Sequence, residues 1–251
     1  MGGGAAGTLV AAQAALRRHA MPFGAEVLGD GGVRFRLWAP GAKQVALVLE
    51  SRERPMMEIG EGWYETIEKA GPGALYRYRI DGRQDVPDPA SRFQPRDVDG
   101  PSEVIDPLAF EWHDEAWRGR PWQEAVIYEL HVGTFTSQGT YGGVMSKLDY
   151  LGELGITAIE LMPLADFAGR RNWGYDGVLP YAPDSVYGRP EELKALVQAA
   201  HQAGLMVFLD VVYNHFGPKG NFLGLYAPQF FTAKHQTPWG AAIDFSEGTV
   251  R

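Results

Sequence analysis

The sequence predicts a two-part chain: a small antiparallel β-sandwich over residues 21–105, then strand–helix units of a parallel sheet over residues 123–251. Three observations carry the prediction. Short alternating segments punctuated by turn dipeptides fill the first part. Near-continuous apolar segments separated by helical stretches fill the second. A stretch rich in Pro and Asp, with neither period, lies between them.

Residues 1–20, MGGGAAGTLVAAQAALRRHA, are rich in Ala and Gly and read as a disordered leader. A secretory signal carries its positive charge before the apolar stretch, whereas Arg17 and Arg18 follow it and Gln13 interrupts it. In VRFRLWAP, Val33, Phe35 and Leu37 fall on one side and Arg34 and Arg36 on the other. QVALVLE, GWYETIE and ALYRYRID follow, the last placing Tyr76, Tyr78 and Ile80 together. Asp30-Gly31 and Asp81-Gly82 are hairpin dipeptides, and SRERPMMEIGEG reads as a solvated turn. Strands at this spacing suggest a sandwich that folds alone. DVPDPASRFQPRDVDGPSEVIDP is expected to be irregular, and residues 106–122, with EWHDEAWRGRPW, to be a linker.

In the second part, AVIYELHV is apolar enough to be buried on both faces. GGVMSKLDYLGELG puts Val144, Leu148 and Leu151 on one helical stripe, with Gly155 as its cap. ITAIELMP is the second strand, stopped by Pro163, and a long loop runs to Arg189. PEELKALVQAAHQAG opens with Pro190, aligns Leu193, Leu196, Val197 and Ala200, and ends at Gly204. LMVFLDVV is the third strand.

Hydrophobic residues make up 45% of the 251 residues and charged ones 22%, the balance of a chain with a packed core. A net charge of −8 argues against nucleic acid or an acidic membrane face as partner and suits a neutral ligand. The absence of cysteine excludes disulfides and thiolate chemistry and fits a reducing, cytoplasmic setting. No apolar stretch reaches the roughly 18 residues of a membrane span. Nothing in the composition sets the oligomeric state.

Where such units form a barrel, sites lie at the C-terminal ends of the strands. Three stretches fall there: ELHVGTF, RRNWGYDGVLPYAPDSVYG and DVVYNHFG. Loops as long as the second are usually functional or mobile. Trp173, Tyr175, Tyr181 and Tyr187 offer flat faces for sugar rings, while Arg170, Asn172, Asp176 and Asp184 can bond hydroxyls.

The D-x-V-x-N-H pattern at Asp210, Val212, Asn214 and His215 resembles the first shared motif of the alpha-amylase family of glycoside hydrolases. YELHVGTFT, AIELMPLADFAGRRNWGYDGV, YAPDSVYGRPEELKALV and HQTPWGAAIDF narrow the likeness to its maltooligosyltrehalose trehalohydrolases, amino-terminal portion only. FRLWAP and DPASRFQP resemble the amino-terminal sandwich of those enzymes, so the likeness covers about residues 21–250. It implies an immunoglobulin-like, early-set sandwich, carbohydrate-binding in type. The first three β/α units of a TIM (β/α)8 barrel follow, with the barrel incomplete. It implies hydrolysis of the α-1,4 bond next to a terminal trehalose, with retention, on maltooligosyltrehalose or a related α-glucan. No cofactor and no metal are implied. The resemblance casts His215 as the histidine that bonds a glucose 6-hydroxyl and Tyr175 as the tyrosine stacked on that ring. It makes Asp210 an aspartate that holds a neighbouring arginine, while Trp173 lies beside Tyr175 in the same loop. Asn214 occupies a position that binds calcium in many alpha-amylases, but is read here as a structural rim residue.

Each assignment has a plainer competitor. His215 could be a water-satisfied surface histidine, Asp210 a turn cap, and Tyr175 loop packing. Glu129 and Glu160 read as structural hydrogen-bonding groups inside buried strands. Retaining glycosidases need two carboxyl groups about 5–5.5 Å apart. In the family the nucleophile stands in an R-x-D motif at the fourth strand, and no such motif follows Asp210. Residues 121–251 are about half of the ~250 that a full barrel takes. The expectation is therefore a fragment without catalytic residues and without activity. Two alternatives remain: a piece of a glycogen branching or debranching enzyme, or a non-catalytic glucan-binding module using Trp38, Trp63 and Tyr64.

Overall fold

The computed structural model describes residues 21–250, so the leader expected over residues 1–20 lies outside the described residues. The first part is a sandwich of two sheets. One has the order β1 (Gly24–Val27), β2 (Val33–Trp38), β6 (Trp63–Glu68), β5 (Met57–Gly60). The other runs β4 (Arg52–Pro55), β3 (Val45–Leu49), β7 (Leu75–Ile80), β8 (Gln84–Val86), with β9 (Ser102–Glu103) also on β7. The alternation in the sequence is realised: Val33, Phe35 and Leu37 are buried, as are Tyr76, Tyr78 and Ile80. Asp81 and Gly82 both take positive φ in the three-residue turn from β7 to β8, and Asp81 Oδ1 accepts from the Lys43 and Gln44 N–H groups.

SRERPMMEIGEG is not a turn. It forms β4 and β5, exposed edge strands on opposite sheets, and Met56 between them drops into the core at 8% exposure. Edge strands keep their charges in water because a neighbour lies on one side only. The irregular stretch after β8 is organised by Asp88. Its Oδ2 accepts from the Tyr76 hydroxyl at 2.7 Å and its Oδ1 from the Ala90 N–H at 2.8 Å.

The sandwich core does not close on itself. Val178, Leu179, Ala182, Phe216, Leu223, Tyr226 and Ala227 from the second part belong to the same buried cluster. Gly41 donates its N–H to the Tyr226 carbonyl at 2.7 Å.

In the second part β10 (Ile127–Leu130), β11 (Ala158–Leu161) and β14 (Met206–Leu209) form a parallel sheet in that order. Between β10 and β11 lie α1 (Val132–Phe135), α2 (Tyr141–Met145) and α3 (Leu148–Glu153). The hairpin β12 (Ala165–Asp166) and β13 (Leu179–Pro183) precedes α4 (Pro190–Gln202). After β14 come α5 (Leu223–Tyr226) and a second hairpin, β15 (Phe231–Thr237) and β16 (Gly240–Ile243). Among the described residues the sheet does not close into a barrel.

Two expectations are corrected here. AVIYELHV is not buried on both faces: Val126, Ile127 and Tyr128 are 52%, 41% and 36% exposed. β10 is an edge strand, and the helices cover only the face that carries Leu130, Ile159 and Leu161. For the same reason Glu129 is exposed and Glu160 half-buried, register partners on the open face rather than groups inside a core. The predicted single helix of GGVMSKLDYLGELG is two short ones, broken at Ser146 and Lys147. The break follows an early start, where the Thr140 hydroxyl caps the Gly143 N–H. Val144, Leu148 and Leu151 are nevertheless all buried, and Gly155 ends α3 at φ +90°.

Residues 106–122 lie along the outer row of α4. The Lys194 ammonium donates to the Pro107 carbonyl, and Gln198 Oε1 accepts from the His113 N–H. His201 Nδ1 meets Asp114 Oδ2 at 2.6 Å while the Trp117 ring stacks on the imidazole at 4.9 Å. Arg120 donates to the Gly204 carbonyl at 3.0 Å. At the other end of the helix Arg189 pairs with Glu103 at 2.6 Å and sits over Phe93.

Candidate functional site

The ends of β11 and β14 are brought together by backbone contact. Gly217 donates its N–H to the Gly177 carbonyl, and a Cβ at Gly217 would overlap the Asp176 carbonyl oxygen. The loop 172–177 and the segment 210–217 therefore form one surface. Asn172 folds this loop: its Oδ1 accepts from the Gly174 N–H at 2.8 Å and its Nδ2 donates to Asp176 at 2.8 Å. Gly174, at φ +101°, is pressed against the Pro163 carbonyl, where a side chain would overlap. The rings on either side are thrown outward, Trp173 at 77% and Tyr175 at 39% exposure.

Tyr175 and Asp210 meet directly. The phenol donates to Asp210 Oδ2 at 2.9 Å, and this bond to a carboxylate holds the Tyr175 pKa above its ordinary value. His215 is buried at 6% exposure. Its Nδ1 lies 2.8 Å from Asn214 Nδ2 and accepts from that amide, which leaves the ring hydrogen on Nε2. Nε2 itself is buried and has no partner among the described residues. One face of the imidazole stacks on Trp239 at 5.6 Å. A histidine fixed at one nitrogen and vacant at the other can donate one directed hydrogen bond to a hydroxyl.

Other residues expected to touch sugar are buried, bonded to one another or set apart. Tyr187 is 3% exposed, packed between Tyr141 and Phe167 in the second core. Asp184 is 2% exposed and spends its oxygens on the Phe167 and Val186 N–H groups. Burial raises its carboxyl to about 6. Asp166, also buried and beside Asp184, is pushed up to about 9. Asn172 and Asp176 bond each other, and Arg170 is exposed. Tyr181 faces a second cleft of about 400 Å³, where it meets Phe23 and lies under Arg92. Trp38 and Trp63 line that cleft half-buried, whereas Tyr64 is a core residue at 5% exposure. Trp239 was not singled out by the sequence; only the β15–β16 hairpin turns it onto His215. Among the described residues no cluster of three or more His, Asp or Glu side chains is disposed to hold a metal ion. No helix among them is long and apolar enough to cross a membrane.

Residues 91–224 match the alpha amylase catalytic domain, and residues 22–109 match carbohydrate-binding module 48, the isoamylase N-terminal domain. The chain belongs to the alpha-amylase family. A malto-oligosyltrehalose trehalohydrolase of Deinococcus radiodurans is 52% identical over 89% of this chain and 37% of its own length. One of Saccharolobus solfataricus is 48% identical over 90% of the chain and 40% of its own. The solved structure of a Salmonella typhimurium protein described as a candidate alpha amylase superposes with a TM-score of 0.90 at 48% identity. It covers 93% of this chain and 40% of that one. The chain thus spans 37–40% of the length of these relatives, at the amino-terminal end of the curated ones. It joins a module-48 sandwich to part of an alpha-amylase catalytic domain, a glycoside hydrolase architecture.

Proposed function

We propose that the chain supplies the amino-terminal part of a maltooligosyltrehalose trehalohydrolase, whose substrate is an α-glucan ending in trehalose and whose product is trehalose. The reading is supported by His215, whose vacant, buried Nε2–H lies in the segment that follows β14, with Trp239 against the ring face. In this role His215 donates to a glucose hydroxyl, and Tyr175, oriented by Asp210, stacks on the same ring. Trp173 forms an outer aromatic wall. Asn214 fixes the histidine tautomer. The chemistry is that of a retaining glycosidase, with nucleophile and general acid outside residues 1–251 and no cofactor. The trehalose-forming role belongs to the cytoplasm, a setting with which a chain free of cysteine is compatible.

The test uses two proteins. The 251-residue chain should release no trehalose from maltooligosyltrehalose. A chimera in which residues 21–250 replace the matching segment of the Deinococcus radiodurans relative should release it, and His215→Ala should lower kcat/KM by about 100-fold. New α-1,6 branches from the chimera in place of trehalose would overturn the reading. So would enzyme-like turnover by the 251-residue chain alone.

A further inference from the structure

His131 follows β10, outside the residues assigned to the pocket. Its Nε2 lies 2.7 Å from the backbone oxygen of Asn172 and therefore carries the hydrogen and donates it. The Tyr187 hydroxyl stands 3.3 Å from the same nitrogen, with its ring edge-on to the imidazole at 5.8 Å. Nδ1 is buried and has no partner among the described residues, so the ring's polar contacts are confined to Nε2, the Asn172 carbonyl being the shorter. Gly133 leaves room for it, since a Cβ there would stand 2.9 Å from His131 Cε1.

Asn172 is the residue that folds the 172–177 loop. Its side chain gathers the Gly174 N–H and Asp176, and Tyr175 between them reaches Asp210. A bond to the Asn172 carbonyl therefore controls where the Tyr175 ring stands, although His131 itself approaches neither Tyr175 nor Asp210 through any hydrogen bond or ring contact. We propose that His131 is a positioning residue, setting the Tyr175 ring for sugar stacking through the hydrogen bond from its Nε2 to the Asn172 carbonyl. The consequence for turnover rests on the pocket reading above; the geometric part does not.

The test has an arm that needs no sugar. In the 251-residue chain labelled with carbon-13 tyrosine, the Tyr175 resonance is assigned by its loss in Tyr175→Phe and followed against pH. In the wild type the phenol titrates above ordinary tyrosine. In His131→Phe, which keeps the ring volume and loses the donor, the titration should move back towards the ordinary value. His131→Gln, which keeps an N–H within reach of the carbonyl, should restore it. An unmoved titration in a folded His131→Phe chain, or no rescue by glutamine in a folded chain, overturns the proposal.

The second arm uses the chimera described above. There His131→Phe should lower kcat/KM by about tenfold or more, and in a Tyr175→Ala background it should add no further loss. Additive losses would overturn the proposal. If the chimera with its natural His131 makes no trehalose, the function reading fails, and the titration arm still decides the role of His131.

Discussion

Asp166 allows a pH effect to be worked through in full. The residue is 1% exposed, one of its oxygens has no partner, and its pKa of about 9 compares with an ordinary 3.8. The first cause is burial, followed by the like charges of Asp184 and Asp97. Between the two values the folded chain holds a proton that the unfolded chain has released. Stability therefore falls as pH rises across that window, by up to about 1.4 kcal/mol per pH unit. From about pH 5 to about pH 8 the loss is about 4 kcal/mol, against the ~5–15 kcal/mol that holds a typical domain. Asp184, raised to about 6, steepens the fall only below that value. Asp166→Asn is uncharged at every pH and should remove the slope above about pH 6, leaving only the share of Asp184 below it. Denaturant midpoints for both chains at about pH 5, 6.5 and 8 provide the readout. The curves should lie close at the acid end and separate towards pH 8, with the variant the more stable. Parallel profiles would refute the buried-acid argument.

Gly217→Ala should cost about 3 kcal/mol, because the new methyl overlaps the Asp176 carbonyl; thermal unfolding measures it. Asp114→Ala removes a hydrogen-bond partner of a largely buried histidine and should cost about 2 kcal/mol, with a change in Trp117 emission. Excised residues 21–105 should bind the dye ANS strongly and aggregate, since the excision strips Val178, Phe216, Leu223 and Tyr226 from their core.

Much of the fold could be read from residue order because one face of each element is dry. Val33, Phe35 and Leu37 declare a strand, and Leu193, Leu196 and Ala200 a helix, because burial demands those periods. The edge strands of SRERPMMEIGEG escaped notice because an edge buries almost nothing and carries charges that look like a turn. The long loop was misjudged in parts for a related reason. Tyr187 and Asp184 are polar enough to suggest a ligand, yet Tyr187 packs on rings distant in sequence and Asp184 bonds the backbone of Phe167 and Val186. At the site, Asp210, Asn214 and His215 came to notice through the family resemblance of D-x-V-x-N-H, while Trp239 and His131 depend on a hairpin and a loop carbonyl that no local pattern announces.

The clasp of residues 106–122 on α4 has a consequence for how such proteins can be recombined. Lys194, Gln198 and His201 succeed one another along the helix and Gly204 lies just past its end, each engaged by the passing chain. A front module borrowed from a relative would arrive with a tether cut for a different helix. Hybrids joined after residue 122 should assemble only when the donor's helix surface travels with them, so heredity would treat the two stretches as a single unit.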